Sequence, residues 1–174
     1  LFLYSVIGKI ICYMNKICTL LFLTVIIGRD LNQSLQIAGE NSLEIKKAMS
    51  SVPLNQSKGM QWLVTHMPAN DLKNVKAEFL LLNSNIAHQS RGNTKWGQEI
   101  PEDLFFSYVL PYANLNETVE SWRLDFFNKF YPMVKDMQSA YDAVVFLNQK
   151  IFDVLGVIYS TKRPKADQSP YESI

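Results

Sequence analysis

The 174 residues suffice for one domain with its own core, and 48% hydrophobic, 12% aromatic and 19% charged residues exclude a disordered or low-complexity chain. Net charge is +1. Residues 1 to 27 hold Lys9 and Lys16 and no acid, so the remainder sets 15 basic against 16 acidic groups and offers no basic face for nucleic acid.

The only thiols, Cys12 and Cys18, precede Gly28, which leaves the later residues without a disulfide, a thiolate ligand or a cysteine nucleophile. Position 1 is Leu, and the first plausible start is Met14. Met14-Asn15-Lys16, the apolar run Ile17 to Ile27 and Gly28-Arg29-Asp30 have the form of a secretory signal peptide. The run is shorter than the roughly 20 residues of a membrane span. Residues 1–28 are therefore read as signal peptide plus upstream read-through, and the rest as exported: periplasmic, cell-surface or extracellular. The competing reading is a membrane anchor over residues 1 to 27, interrupted by Lys9, Asn15 and Lys16. Membrane contact is expected only through this segment, if it stays uncleaved.

Residues 38–156 read as a helical domain. Residues 38–42 open a first helix with the stripe Leu43, Ile45, Ala48 and Met49, ended by Pro53. Asn55 or Ser57 is placed to cap the next, in which Met60, Leu63, Val64 and Met67 share a face and Pro68 stops the run. Asn70 is expected to cap one longer helix carrying Leu72, Val75, Phe79, Leu82 and Ile86, fading at Ser90-Arg91-Gly92-Asn93. Trp96 follows in a polar loop.

The densest aromatic stretch, Ile100 to Arg123, comes next. Pro101 suits a helix start with Glu102 and Asp103 in its first turn, Pro111 ends that helix, and Asn116-Glu117-Thr118 forms a polar turn. Trp122, Phe126, Phe130 and Val134 share a face, and Pro132 should end or kink their helix. From Ser139, the spacing of Ala140, Val144, Leu147, Ile151 and Leu155 is the clearest amphipathic pattern, with Gly156 as its C-cap. Trp122, Phe126, Val144 and Ile151 are expected in the core. Val157-Ile158-Tyr159 is short and strand-like, and Ser169-Pro170 with Glu172 reads as another helix start.

No cofactor or metal is indicated. His66 and His88 stand apart, without the convergent ligands that a metal needs, and no glycine-rich phosphate motif occurs. Asn32-Gln33-Ser34, Asn55-Gln56-Ser57 and Asn116-Glu117-Thr118 match the glycosylation sequon, a pattern common by chance. Glu102, Asp103, Glu117 and Asp125 supply carboxylates, read first as solvated turn acids. Glu117 and Arg123 flank the aromatic turn and could pair, because a partly buried Arg needs an acceptor; the alternative is an exposed pair worth little.

Several segments recur in a characteristic order: Ala38-Gly39-Glu40-Asn41, Trp62 through Met67-Pro68 with Asp71-Leu72, Ile100-Pro101 with Phe105, Val109-Leu110-Pro111-Tyr112, Asn116-Glu117 and Trp122-Arg123. Leu147-Asn148 with Ile151-Phe152, Tyr159-Ser160-Thr161 with Arg163, and Asp167-Gln168-Ser169-Pro170 with Glu172-Ser173 follow. Together they resemble the region ahead of the catalytic core in secreted transglutaminase-like proteins of Bacteroides-type bacteria. The resemblance implies a papain-like Cys-His-Asp parent, in which a thiolate at a helix N-terminus attacks an amide carbonyl. None of the three catalytic residues has a counterpart here. Gln168, just before the helix start, is the one candidate oxyanion donor, and Tyr112, Glu117, Trp122 and Arg123 are read as structural.

The resulting expectation is an all-α N-terminal scaffold, inert alone. Residues 157–174 begin the core, whose α/β part is missing. The partners implied are that core and a peptide or protein substrate. The alternatives are a non-enzymatic helical module for peptide or glycan, which predicts a groove lined by exposed aromatics, and a membrane-anchored interaction domain. The scaffold predicts an apolar surface left bare near Val157-Ile158-Tyr159.

Overall fold

The computed structural model describes residues 29–113, 117–157 and 170–172, and all regular structure among them is helical. The all-α class read from the periodicity is what the chain adopts. Its core lies between residues 45 and 110, where Ile45, Met60, Leu72, Leu80, Phe105 and Leu110 are fully buried. Burial of such side chains contributes roughly 1.5–3 kcal/mol each.

A helix precedes the first expected one. α1, Leu31–Ala38, starts at a reciprocal cap: Asp30 accepts from the Gln33 N–H, and the Gln33 side chain accepts from the Asp30 N–H. α1 packs against α4. A single 3₁₀ turn, Gly39–Asn41, leads to α2, Ser42–Ser51, which buries Ile45 and Ala48.

α3, Ser57–His66, is capped by neither Asn55 nor Ser57. Gln56 holds the N-cap position without a side-chain bond, and the Ser57 hydroxyl donates instead to the Leu54 carbonyl.

The single long helix expected after Asn70 is two: α4, Ala69–Asn74, and α5, Ala77–Gly92, separated by extended Val75 and Lys76. Neither Pro nor Gly makes this break. The Asn41 amide donates to the Leu72 and Val75 carbonyls at 2.9 Å each, and Glu44 accepts from the Ala77 N–H at 2.9 Å. Side chains from the preceding helical turn and α2 thus satisfy groups that a continuous helix would have used. The break rotates the stripe, so Leu80 is buried and Leu82 is exposed.

α6, Lys95–Gln98, is a short turn capped by Thr94, and it carries Trp96, which donates to the Val134 carbonyl at 3.2 Å. α7, Glu102–Leu104, opens after Pro101 and widens into a π-helical turn over Phe105–Val109. α8, Trp122–Val134, continues two residues beyond Pro132. α9, Ala140–Leu155, begins at the Ser139 cap and ends at Gly156, in the left-handed conformation at φ 68°.

α9 corrects the expected core. Val144 is 64% exposed, while Trp122, Phe126 and Ile151 are half-buried. The amphipathic pattern is real, and α9 packs on α8, but Tyr141, Val144, Val145 and Phe152 on its apolar face stay exposed.

Candidate functional site

Trp122 and Arg123 lie where the chain enters α8, and each reaches back to the segment after the π turn. The Trp122 indole N–H donates to the Tyr112 carbonyl at 3.1 Å. The Arg123 guanidinium donates to the Pro111 carbonyl, to Leu110 at 3.4 Å and to Asn83 on α5 at 3.5 Å. The Leu110 and Pro111 carbonyls follow the π turn, where partial negative charge gathers and intrahelical partners are lacking, so a cation there replaces the missing bonds.

The Glu117–Arg123 pair is not formed: among the described residues, Arg123 hydrogen-bonds to carbonyls only, and its guanidinium carbon lies 5.3 Å from the Trp122 ring centroid. Burial without a carboxylate pushes its pKa down to about 10. Its Nε and the Asn83 Oδ1 are buried without a partner among the described residues.

Tyr112 turns the other way. Its hydroxyl donates to Asp71 Oδ2 at 2.7 Å, and its ring meets Phe79 edge-on at 5.2 Å. Burial, and then the bond to Asp71, push the phenol pKa well above its ordinary value, so it stays a donor. The 110–112 segment is consequently held by α8 on one side and α4 on the other.

A groove of about 630 Å³ opens between α5, the π turn and α8. Trp96, Tyr108, Trp122, Phe126 and Phe130 face it, with Glu117 at its wall. Tyr108 is 81% exposed. Phe126 and Phe130 meet edge-on at 5.7 Å.

Residues 170–172 lie at the rim. Pro170 lines the groove, the Tyr171 hydroxyl donates to Asp125, and the Tyr171 ring meets Phe126 edge-on at 6.0 Å. The Thr118 hydroxyl donates to Glu172 at 3.2 Å. Gln168 lies outside the described residues, as do the signal-peptide segment and Asn116.

The two histidines take separate places. His88 packs edge-on to Phe105 at 4.9 Å and donates from Nδ1 to the Ser84 carbonyl at 2.8 Å. Burial holds its pKa below the usual value. His66 stacks on Trp62 at 4.1 Å and 9°. No metal-binding cluster occurs among the described residues, and none of their helices is long and apolar enough to cross a membrane.

Sequence reasoning missed Asp71, because its partner is 41 residues away. Apart from its place in the Asp71-Leu72 segment, its signal was an acid in the first turn of a helix. No protein-family model, curated protein or solved structure matches the chain.

Proposed function

We propose that this chain is the N-terminal helical scaffold of an exported transglutaminase-like protein and supports a Cys-His-Asp core without supplying catalytic groups. The observation that carries this reading is the bare apolar face of α9. Tyr141, Val144, Val145 and Phe152 are exposed along one helix that runs directly into Val157. A face of this kind marks a surface made to be covered. The ordered motifs that resemble the family support the same reading, since Asp71, Leu110-Pro111-Tyr112 and Trp122-Arg123 form one bonded unit. On this proposal Gln168, before the helix leading to the nucleophile, donates its amide N–H to the oxyanion.

The test is the complete gene, assayed for hydrolysis and acyl transfer on Gln-containing and ordinary peptides. The expected result is a Cys-His-Asp set encoded after residue 174, with Gln168→Ala lowering turnover and leaving the fold intact. A continuation without that set, or with serine at the cysteine position, overturns the enzyme reading.

The aromatic groove favours a second reading, a non-enzymatic module that binds peptide or glycan. Its volume of about 630 Å³ is within the usual range of ligand clefts, and its rings suit stacking on apolar or sugar faces. Tyr108→Ala would then abolish binding to a peptide or oligosaccharide array, whereas the scaffold reading predicts no specific capture on either.

A further inference from the structure

Residues 170–172 meet the domain through three consecutive side chains, each against a group that matches its chemistry. Pro170 lines the large groove together with Trp122 and Phe126. The Tyr171 ring meets Phe126 edge-on at 6.0 Å, and Phe126 in turn meets Trp122 at 5.8 Å. The Tyr171 hydroxyl donates to the Asp125 carboxylate, with the Ser121 carbonyl oxygen 3.5 Å away. Glu172 accepts from the Thr118 hydroxyl at 3.2 Å.

The bonds to Thr118, Ser121 and Asp125 all use side chains of the segment, whose backbone forms only a turn. A peptide ligand is held in the same way, by a ring on aromatic surface, a phenol on a carboxylate and a carboxylate on a hydroxyl. Pro170 narrows the backbone freedom ahead of Tyr171, which lowers the entropy lost on docking. The bond to Asp125 raises the phenol pKa above its ordinary value, so Tyr171 keeps its proton and stays the donor.

The hold is also weak enough to release. Asp125 and Glu172 are exposed, and Pro170 and Tyr171 are only half-buried. Exposed hydrogen bonds exchange for bonds to water at little net gain. As part of the same chain, the segment meets the site at an effective concentration on the order of millimolar. A contact of millimolar strength is then closed for a large share of the time and open for the rest.

We infer that the entrance of α8, from Thr118 to Phe126, is a recognition site for a peptide bearing proline, tyrosine and an acid in succession, and that residues 170–172 fill it in cis. The segment is a built-in competitor: a partner peptide with the same three side chains enters as Pro170, Tyr171 and Glu172 leave. The inference rests on these contacts alone and goes beyond both readings above. Capture through Tyr108 tests the groove reading separately.

The full chain and its Tyr171→Ala variant are titrated with N-acetyl-Pro-Tyr-Glu-amide. The Trp122 indole N–H, which donates to the Tyr112 carbonyl, is followed by NMR. The variant should show a saturable shift in the millimolar range that exposed contacts reach. The wild type should bind roughly fivefold more weakly or worse, because its own segment competes. N-acetyl-Pro-Ala-Glu-amide should shift neither.

Asp125→Asn and Phe126→Ala, each added to Tyr171→Ala, should weaken the tripeptide roughly threefold or more. A folding defect in one leaves the other to decide. Equal affinity of wild type and Tyr171→Ala, no saturable shift with the variant, or equal binding of the alanine peptide overturns the inference. A wild-type dimer in sedimentation that Tyr171→Ala turns into a monomer would put a second copy's segment in the site, and overturns it too.

Discussion

Glu44 accepts the Ala77 N–H at 2.9 Å across 33 residues, and this bond fixes where α5 begins. The bond holds the Glu44 carboxyl below its ordinary pKa of 4.5. A carboxyl whose folded pKa is depressed contributes stability that is present above the unfolded pKa and lost as pH falls through the folded one. The melting temperature of the wild type should exceed that of Glu44→Gln at neutral pH, and the gap should close as the solution is acidified below 4.5. A gap independent of pH would mean that the carboxylate bond contributes nothing.

His88 has the same pH sense from the opposite charge. Burial beside Phe105 keeps the ring neutral and lowers its pKa from 6.5, more than the Ser84 carbonyl raises it. Between the folded and unfolded pKa values the unfolded chain binds the extra proton, so stability falls as pH drops below about 6.5. Urea midpoints at pH 7.5, 6.5 and 5.5 should decline in the wild type and lose that part of the decline in His88→Gln.

Much of the fold was legible in the sequence because its signals are local. Ser139, Gly156, Pro68 and the turn at Gly92 act within four residues of the boundary they set. The α4–α5 break was not legible, since Asn41 and Glu44 impose it from more than thirty residues away. α1 was missed because its eight residues have only one apolar flank and an inconspicuous Asp30–Gln33 cap. The stripe on α9 was read correctly as a stripe and wrongly as core. Periodicity reports which residues share a face and not what lies opposite. In the site, Trp122 and Arg123 stood out by composition, whereas their acceptors are carbonyls, which every residue possesses.

Arg123→Met should destabilise the domain by about 2 kcal/mol. It leaves the Leu110 and Pro111 carbonyls without their donor, at roughly 1–3 kcal/mol per buried group, offset by relief of the buried charge. Arg123→Lys should recover less than half, because an ammonium cannot span carbonyls that a planar guanidinium bridges. Denaturant unfolding checks both, and full recovery by Lys would reduce Arg123 to a simple charge.

Trp122 and Val144 separate the corrected core from the expected one. Trp122 is half-buried and donates one bond, so Trp122→Ala should cost about 2 kcal/mol, below the roughly 3–5 kcal/mol of a fully buried ring. Val144→Ala should stay within about 0.5 kcal/mol, as exposed positions do. A loss at Val144 comparable to that at Trp122 would place α9 against other parts of the chain.

Gly97 supports the wall of the groove through Trp96. A Cβ there would stand 2.3 Å from Thr94 Oγ1, 2.6 Å from the Arg91 carbonyl oxygen and 2.9 Å from Arg91 Cα. Two of these are backbone atoms of the last turn of α5 and cannot swing away. The Gly97 N–H also donates to Thr94 Oγ1 at 3.0 Å, so displacing the turn breaks its cap. Gly97→Ala should therefore cost about 2 kcal/mol or more, against the small gain that Ala brings to a helix. The displaced turn should also withdraw the Trp96 indole from the Val134 carbonyl and shift its emission to the red. Gly92→Ala is the control: its Cβ meets nothing within 4 Å, and the substitution should be neutral or slightly stabilising. Equal stability of the two variants would show that α6 yields freely and that Trp96 does not hold the groove wall in place.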